Sequence, residues 1–403
     1  MRPIEIPAWP GLGPGLWLPV PPAAPLPFPL QAPRTLAFHV ARYAIYQLFG
    51  ALGFGDGGSV LVPAYHHGNE VKALRAAGAH IRFYSIGPDL QPDLAEVERL
   101  LRAGPRALYV IHFLGWPQPI RELERLCREH GALLIEDCAL SLLSDLAGQA
   151  LGSFGDFSVF CLYKTLPVPN GGLLAQNRGF LPELRDLRLR RCGSLSLAAR
   201  TLDLVGDWIR GRSARLGASL LWSKRAAGRV LDAAGLARTP VGDSGFDAAH
   251  ADVGMSRLSR LLLPRFDFDA IKERRRRNFE LLRGSLQGRF PLLPLRLGPG
   301  VCPLFFPLPV ADKARASRQL AQQGIESVSF WNTGDAEAER LPFEAVRYLR
   351  RHVLELPIHQ DVTRGQLERM AGLVLRQLEP AVSFEGERWS RSSESRARTA
   401  WTA

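Results

Sequence analysis

Two side chains at the ends of apolar segments have the types and the spacing that chemistry requires. Asp137 closes the apolar run "ALLIED", and Lys164 follows the run Phe157–Tyr163, 27 residues further on. Short apolar runs bounded by turn residues predict buried strands. A strand-end aspartate is also typical of a cap or an ion pair, and a long amine usually keeps its charge in water. The pair therefore has a structural interpretation as well as a chemical one.

The chemical interpretation is a cofactor that carries an aldehyde, a pyridine nitrogen and a phosphate. A lysine amine forms a Schiff base with the aldehyde, and a carboxylate keeps the pyridine nitrogen protonated. The amides of a helix N-terminus, predicted near Ala41 and Arg42, bind the phosphate. Lys164 and Asp137 with that helix start are the set that pyridoxal phosphate requires, although Arg42 is equally typical of a surface residue.

The segments around these residues alternate between helix and strand patterns. Residues 40–52 have helical apolar spacing, and they are followed by "SVLVPAY", "NEVKALRAAGA", "HIRFYSI", "LAEVERLLRAG", "ALYVIHF", "PIRELERLCREHG" and "ALLIED". Such alternation predicts an α/β fold with a mostly parallel sheet and helices on both faces. Ligands of these sheets bind beyond the carboxyl ends of the strands, where residues 65–67, His112 and Asp137 fall.

Composition narrows the class of protein. The chain has 403 residues, of which 46% are apolar and 22% charged, which predicts a large domain plus a smaller one. Lys and Arg exceed Asp and Glu by 12, so anionic partners are favoured, and the scattered arginines indicate small phosphorylated ligands rather than nucleic acid. Five cysteines without a CxxC motif argue against a zinc site or a disulfide scaffold and for the cytoplasm.

The chain divides into four predicted regions. Residues 1–35 form a Pro-rich arm, which is neither a signal peptide nor a spanning helix. Residues 36–262 form the large domain, with a basic helical insertion at about 178–245 that carries Trp208 and Trp222. This insertion is expected to pack on the body or on a second subunit, with a peripheral membrane contact as the alternative. Residues 263–383 form a small α+β domain, linked by the run "KERRRRNFELL" on a solvated helix face, and residues 384–403 are expected to be disordered.

The order of several motifs resembles one protein family over about residues 36–380. The stretches are "ALGFGDGGSVLVPAY", "VIHFLGWPQPIRELERLCREHGALLIEDCALSL", "GSFGDFSVFCLYKTLPVPNGG", "GMSRLSRLLL" and "LELPIHQD". They resemble the DegT-like (DegT/DnrJ/StrS) sugar aminotransferases, which are fold-type I pyridoxal-phosphate enzymes. The resemblance implies a cytoplasmic homodimer with sites at the interface. It also implies transfer of an amino group from an amino acid, with glutamate as the expected donor, to a keto group of a nucleotide-linked sugar.

The resemblance also implies roles for individual residues. Lys164 matches the lysine that binds the cofactor and moves the proton, and Asp137 matches the partner of the pyridine nitrogen. His67, or His66 if the register slips, falls where the family places a ring over the cofactor face. Ala41 and Arg42 take the place of the pair whose amides bind the phosphate. Cys161 and Ser158 are the candidates for the hydroxyl that the family offers to this phosphate.

Some positions depart from the family pattern. Leu140 replaces a glutamine that hydrogen-bonds the ring hydroxyl, Asn170 replaces an acidic residue, and Asp252 and Gly254 replace an asparagine and an arginine. A carboxylate near a phosphate is unfavourable unless an arginine offsets it. These departures keep open a binding protein without catalysis. Sugar dehydration on the same fold is disfavoured, because the family's dehydratases replace the lysine with histidine.

Overall fold

A seven-stranded sheet forms the centre of the computed structural model, which describes residues 5–17, 25–213, 216, 241, 245–332 and 334–386. The strand order is β1-β9-β8-β5-β4-β2-β3. The strands are β1 (Thr35–Phe38), β2 (Ser59–Pro63), β3 (His80–Tyr84), β4 (Ala107–Ile111), β5 (Leu133–Cys138), β8 (Phe157–Cys161) and β9 (Gly172–Gln176). Two short strands, β6 (Asp145–Leu146) and β7 (Gln149–Ala150), pair separately as a hairpin.

The sheet is mostly parallel, which confirms the predicted fold class. Strands β3, β2, β4, β5 and β8 run parallel, whereas β9 pairs antiparallel with both β8 and β1. Every residue of β4, β8 and β9 is buried. Continuous apolar runs are expected for strands that helices cover on both faces. The carboxyl ends of β4, β5 and β8 therefore meet at one edge of the sheet.

The helices predicted between these strands are present. They are α1 (Ala41–Ala51), α2 (Asn69–Ala76), α3 (Leu94–Leu101) and α4 (Ile120–His130). Helix α4 buries Ile120, Leu123, Leu126 and Cys127, whose spacing of three or four residues places them on one face. It ends at Gly131, where φ of 66° is in the left-handed region that glycine adopts without a steric penalty.

The middle of the chain holds α5 (Leu162–Thr165), α6 (Pro182–Arg185), α7 (Ser194–Arg210), α8 (Arg257–Leu262) and α9 (Phe268–Leu286). Helices α6 and α7 belong to the predicted insertion. Trp208 lies on α7, whereas Trp222 and the rest of the second predicted helix lie outside the described residues. No helix in the described ranges is both long and apolar enough to cross a bilayer.

The C-terminal region is a smaller α+β unit. Its strands β10 (Phe305–Pro309) and β11 (Val353–Pro357) pair antiparallel. Its helices are α10 (Lys313–Gln322), α11 (Ala336–Arg340), α12 (Glu344–His352) and α13 (Arg364–Gln377). The segment "IESVSFW" contributes only two isolated bridges, Ile325 with Ile6 and Val328 with Glu355. The domain boundary near residue 262 stays a prediction, and the predicted tail lies outside the described residues from 387 onward.

The N-terminal arm packs on the C-terminal region of its own chain. Ile6 N donates to Gly324 O at 2.7 Å, and Gly11 N donates to Asp361 Oδ2 at 2.9 Å. The Trp9 ring lies edge-on to the Phe305 ring, with 5.0 Å between centroids. Residues 5–13 are thus an extended strap, as the proline and glycine content indicates, and Pro14–Trp17 form a short 3-10 helix after it.

Candidate active site

A cleft at the carboxyl ends of the central strands contains most of the predicted site residues. Its lining includes Ala41, Arg42, His67, Asp137, Cys161 and Lys164, and it encloses about 600 Å³ of space open to solvent. Ser158 does not line it. The Ser158 hydroxyl is fully buried within β8 and has no hydrogen-bond partner among the described residues. Successive residues of a strand face opposite sides of the sheet, so Ser158 and Cys161, three residues apart, point in opposite directions.

Lys164 lies on a helical turn rather than at a strand end, which corrects the predicted strand over Phe157–Tyr163. Strand β8 stops at Cys161, and α5 follows directly. Leu166 N donates to Leu162 O at 2.8 Å, which closes the turn. The Lys164 Nζ is 5.6 Å from the centre of the Phe330 ring. The amine is therefore held in a short, hydrogen-bonded turn under an aromatic side chain.

The carbonyl next to this lysine is anchored from the C-terminal half of the chain. Arg275 Nη2 donates to Thr165 O at 3.1 Å, and Gln360 Nε2 donates to the same oxygen at 3.2 Å. Arg275 is 1% exposed and also donates to Leu304 O at 2.9 Å. Burial lowers its pKa to about 10. The arginine run predicted to be a solvated helix face thus contains one buried cation that fixes the turn after Lys164.

The carboxylate of Asp137 is hydrogen-bonded on both oxygens. Tyr109 Oη donates to Oδ2 at 2.6 Å, and Ala139 N donates to Oδ1 at 2.8 Å. Burial raises the pKa of Asp137 above its ordinary value, and the charge of Glu70 adds to this. The two hydrogen bonds and the Lys164 charge act in the opposite direction. Asp137 is thus an oriented carboxylate in a largely dry site.

Helix α1 presents its N-terminus to the cleft. It begins at Ala41, and the preceding Val40 supplies no side-chain cap. Strand β9 passes so close to this point that a Cβ on Gly172 would lie 2.3 Å from Ala41 N. Uncapped amides at the start of an 11-residue helix bind anions through their N–H groups and the helix dipole. The buried Arg42 side chain adds a positive charge to the same side of the cleft.

Of the two neighbouring histidines, His67 lines the cleft and His66 does not. His67 N donates to Glu70 Oε1 at 2.7 Å, which fixes the loop at the start of α2. The His66 ring stacks on Phe83 with centroids 5.4 Å apart. Burial lowers the pKa of His66 to about 4, so it is neutral at physiological pH. His67 is therefore the histidine of the pair that lines the cleft, and its position over a cofactor ring stays a prediction.

An aromatic wall, which we define as Phe330 and Trp331, closes the cleft from the C-terminal region. Trp331 lines the cleft and has a φ of 52°, which is uncommon for a bulky residue. Lys313 Nζ donates to Phe330 O at 2.9 Å, and Phe330 N donates to Glu355 Oε2 at 3.1 Å. Arg350 Nη1 donates to Trp331 O at 2.7 Å. Buried charged groups thus hold each end of this strained segment.

The aromatic wall and its supports were not predicted from the sequence. They come from a loop without a motif, and only the aromatic pair itself marks it. Tyr109 was also missed, although a signal was present: it is the one hydroxyl-bearing residue in the otherwise aliphatic strand β4. Ile111 lies opposite Asp137 in the sheet, so Tyr109, two residues earlier, shares the face of Asp137.

The departures from the family pattern have clear environments. Leu140 is buried and lines the cleft. Asp252 forms a bidentate ion pair with Arg190, at 2.6 and 2.5 Å, and this arginine lowers the pKa of the carboxyl group. The expected offsetting arginine is therefore present. Asn170 is buried, and its Oδ1 accepts from Ser256 N at 2.9 Å.

One buried trio in the described part of the chain, His112, Glu136 and Cys138, has the spacing of metal ligands. Glu136 Oε2 is 2.9 Å from His112 Nε2. The two Glu136 oxygens also accept from three backbone amides, those of Gly152, Phe154 and Gly155, at 2.6–2.9 Å. The carboxylate is already satisfied by hydrogen bonds. We therefore interpret the trio as support for the loop before β8.

The residues of the cleft fit pyridoxal phosphate. An amine, an oriented carboxylate and an uncapped helix N-terminus line one space. Lys164 would hold the aldehyde carbon, Asp137 the pyridine nitrogen, and the Ala41 and Arg42 amides the phosphate.

Comparison with known proteins agrees with this geometry. The fold matches the solved structures of an aminotransferase, TlmJ, from Streptoalloteichus hindustanus and of the sugar aminotransferase CalS13 from Micromonospora echinospora. For TlmJ the TM-score is 0.59 at 22% identity, over 85% of this chain and 84% of the other. For CalS13 it is 0.59 at 19% identity, over 86% and 88%. The chain therefore has the same fold as these two aminotransferases.

The sequence also matches a known family over part of its length. Residues 31–212 match the model of the DegT/DnrJ/EryC1/StrS aminotransferase family. GDP-perosamine synthase from Vibrio cholerae is 32% identical over 174 residues, which are 42% of this chain and 45% of the relative. The chain thus matches less than half the length of this curated relative.

Proposed function

We propose that the protein is a pyridoxal-phosphate-dependent aminotransferase that acts on a nucleotide-linked sugar. In this proposal an amino acid, with glutamate as the expected donor, supplies the amino group, and a keto group of the sugar receives it. The observation that carries the proposal is the presence of Lys164 and Asp137 in one cleft beside the α1 N-terminus. The proposal includes a homodimer, as the family resemblance implies.

Each residue of the cleft has a defined task in this reaction. Bound pyridoxal phosphate supplies the electron sink that stabilises a carbanion at the donor's α-carbon. Asp137 holds a proton on the ring nitrogen, and the amides of Ala41 and Arg42 bind the phosphate. His67 packs against the ring face. Lys164 Nζ binds the aldehyde carbon at rest and takes the proton from the α-carbon during the reaction.

Two observations support the class of acceptor. The curated relative is named as a GDP-perosamine synthase, and GDP-linked sugars carry a diphosphate. The net charge of this chain is +12, which attracts polyanionic substrates over the Debye length.

The test is a half-reaction that needs no acceptor. The protein is loaded with pyridoxal phosphate, and its visible absorbance is recorded before and after glutamate is added. We expect the band of the bound cofactor to be lost and 2-oxoglutarate to be released in an equal amount. Borohydride reduction before glutamate, followed by peptide mapping, should label Lys164 among the five lysines of the chain.

Two outcomes would contradict the proposal. A label on another lysine would show that the site is assigned wrongly. An unchanged band with glutamate and with a panel of other amino donors, in folded and loaded protein, would favour a binding protein without catalysis. Lys272→Ala is the matched control, because this lysine pairs with Asp145 at 2.7 Å, outside the cleft lining, and its loss should leave the spectrum unchanged.

A further inference from the structure

The Tyr109 hydroxyl bonds directly to the carboxylate of the candidate site. Its Oη donates to Asp137 Oδ2 at 2.6 Å, a short distance typical of a charge-assisted hydrogen bond. Tyr109 is 0% exposed and Asp137 is 6% exposed. A hydrogen bond to a charged group in such a dry environment is stronger than the same bond in water.

The sheet fixes where this hydroxyl points. Strands β4 and β5 are parallel neighbours, and Tyr109 pairs in register with Ile135, two residues before Asp137. The Tyr109 carbonyl accepts from Tyr84 Oη at 3.0 Å. The pairing of β4 with β5 therefore places the Tyr109 phenol on the Asp137 face of the sheet, independently of the Tyr84 hydroxyl.

The remaining partners of Asp137 leave a place for one more donor. Oδ1 accepts from Ala139 N and Oδ2 from Tyr109. Because each carboxylate oxygen has two lone pairs, the carboxylate can still accept a hydrogen bond from a protonated ring nitrogen in the cleft. The charges that act on Asp137 are Glu70, which favours its protonated form, and Lys164, which favours its ionised form.

A proton shared between Asp137 and a ring nitrogen goes to whichever base is stronger. A donor on the carboxylate makes it the weaker base, since the hydrogen bond favours the charged form. Without Tyr109, burial and the Glu70 charge would move the proton from the nitrogen toward Asp137.

We propose that Tyr109 is a positioning residue that orients the Asp137 carboxylate and keeps it ionised, so that the proton stays on the cofactor's ring nitrogen. The inference rests on the proposed function, because it requires pyridoxal phosphate in the cleft. None of the roles proposed above belongs to a residue of strand β4, so this inference adds β4 to the elements that position the site.

The test compares Tyr109→Phe with Tyr84→Phe in the full chain loaded with pyridoxal phosphate labelled with ¹⁵N at the ring nitrogen. Both variants remove one buried phenol hydroxyl from the central sheet, but the Tyr84 hydroxyl bonds a backbone carbonyl rather than Asp137. We expect the nitrogen chemical shift of Tyr109→Phe to move toward the neutral value, and that of Tyr84→Phe to match the wild type. The rate constant of the glutamate half-reaction should fall about tenfold in Tyr109→Phe, with little change in KM.

A double variant tests whether the effect passes through Asp137. In Asp137→Asn the ring nitrogen has already lost its carboxylate, so adding Tyr109→Phe should change neither the shift nor the rate further. If Tyr109→Phe does not fold, a fluorinated tyrosine at position 109, which keeps the hydroxyl and makes it more acidic, should still alter the shift.

The outcomes separate the two proposals. A wild-type protein that does not bind the cofactor, or that binds it with a neutral nitrogen, overturns the proposed function. A protonated nitrogen in the wild type and an equal shift in Tyr109→Phe overturns only the role of Tyr109.

Discussion

Two opposite charges enclose the peptide of Phe330 in the aromatic wall, and removing one of them is expected to destabilise the fold in a pH-dependent way. The perturbation is Lys313→Met. It deletes the hydrogen bond from Nζ to Phe330 O and the cation that most offsets the burial of Glu355. Methionine keeps most of the side-chain volume, so the change is electrostatic rather than a cavity.

The size of the effect follows from the Glu355 carboxyl group. Burial raises its pKa from 4.5 to about 7 even with Lys313 present. A pKa unit corresponds to about 1.4 kcal/mol, so ionised Glu355 already costs about 3 kcal/mol above neutral pH. Without Lys313 the folded Glu355 carboxyl group keeps its proton above pH 7, and this proton uptake limits the additional cost to about 1.4 kcal/mol per pH unit. Together with about 1 kcal/mol for the lost hydrogen bond, we therefore expect Lys313→Met to lower the free energy of unfolding by about 2 kcal/mol at about pH 8.

The sign of the pH dependence is defined. A carboxyl group with a raised pKa binds a proton more tightly in the folded than in the unfolded protein, so stability falls as pH rises from the unfolded value through the folded one. For Glu355 this window runs from 4.5 to about 7, and it extends higher without Lys313. At about pH 5.5 the folded variant is protonated, and the loss should shrink toward about 1 kcal/mol for the missing hydrogen bond.

The assay is chemical denaturation followed by circular dichroism at both pH values. Lys272→Met is the control, because its ion pair with Asp145 is partly exposed and should contribute at most about 1 kcal/mol. The double variant Lys313→Met/Glu355→Gln should recover most of the loss at the higher pH. Equal losses at both pH values, or a double variant less stable than Lys313→Met, would refute the reasoning.

Three further predictions concern the cleft. Asp137→Asn should still bind pyridoxal phosphate but lose most turnover, because an amide cannot hold the pyridinium charge; single-turnover kinetics with glutamate measure this, and near-normal rates would contradict it. Arg275→Lys should weaken the hold on Thr165 O and slow borohydride labelling of Lys164, since an ammonium cannot reproduce three fixed guanidinium bonds; an unchanged labelling rate would count against the anchor. Leu140→Gln should raise the affinity for the cofactor by supplying a hydrogen bond, measured by equilibrium titration, and an unchanged affinity would place the ring hydroxyl elsewhere.

The sheet was predictable from the sequence because its signal is local. Runs such as "ALYVIHF" and "ALLIED" are short, apolar and bounded by turns, and the helices between them keep their periodic apolar faces. The same local logic failed at Lys164, since "CLYK" continues the apolar run and nothing in it marks the change from strand to helical turn. That change is set by the bond from Leu162 N to Gly171 O, across the loop.

The parts of the site that escaped prediction depend on long-range pairing. Arg275 is one of four consecutive arginines, which the sequence alone does not distinguish. The packing of α9 decides which of them is buried. Phe330 and Trp331 reach the cleft because Lys313 and Glu355 hold their loop. No spacing rule links these positions to Asp137. The sequence therefore predicted Lys164 and Asp137 but not the residues that enclose them.

The hydrogen bonds that Arg275 and Gln360 donate to Thr165 O come from residues that are synthesised long after Lys164, which bears on when the cofactor can bind. Arg275 follows Thr165 by 110 residues and Gln360 follows it by 195. A ribosome therefore releases the whole parallel sheet, and the lysine itself, well before either donor exists. The region that matches the family model ends at residue 212, so it contains Lys164 without Arg275 and Gln360, the residues that fix the neighbouring carbonyl. A nascent or truncated chain of that length would carry Lys164 on an unanchored turn, and productive loading of the cofactor would wait for the C-terminal unit to dock.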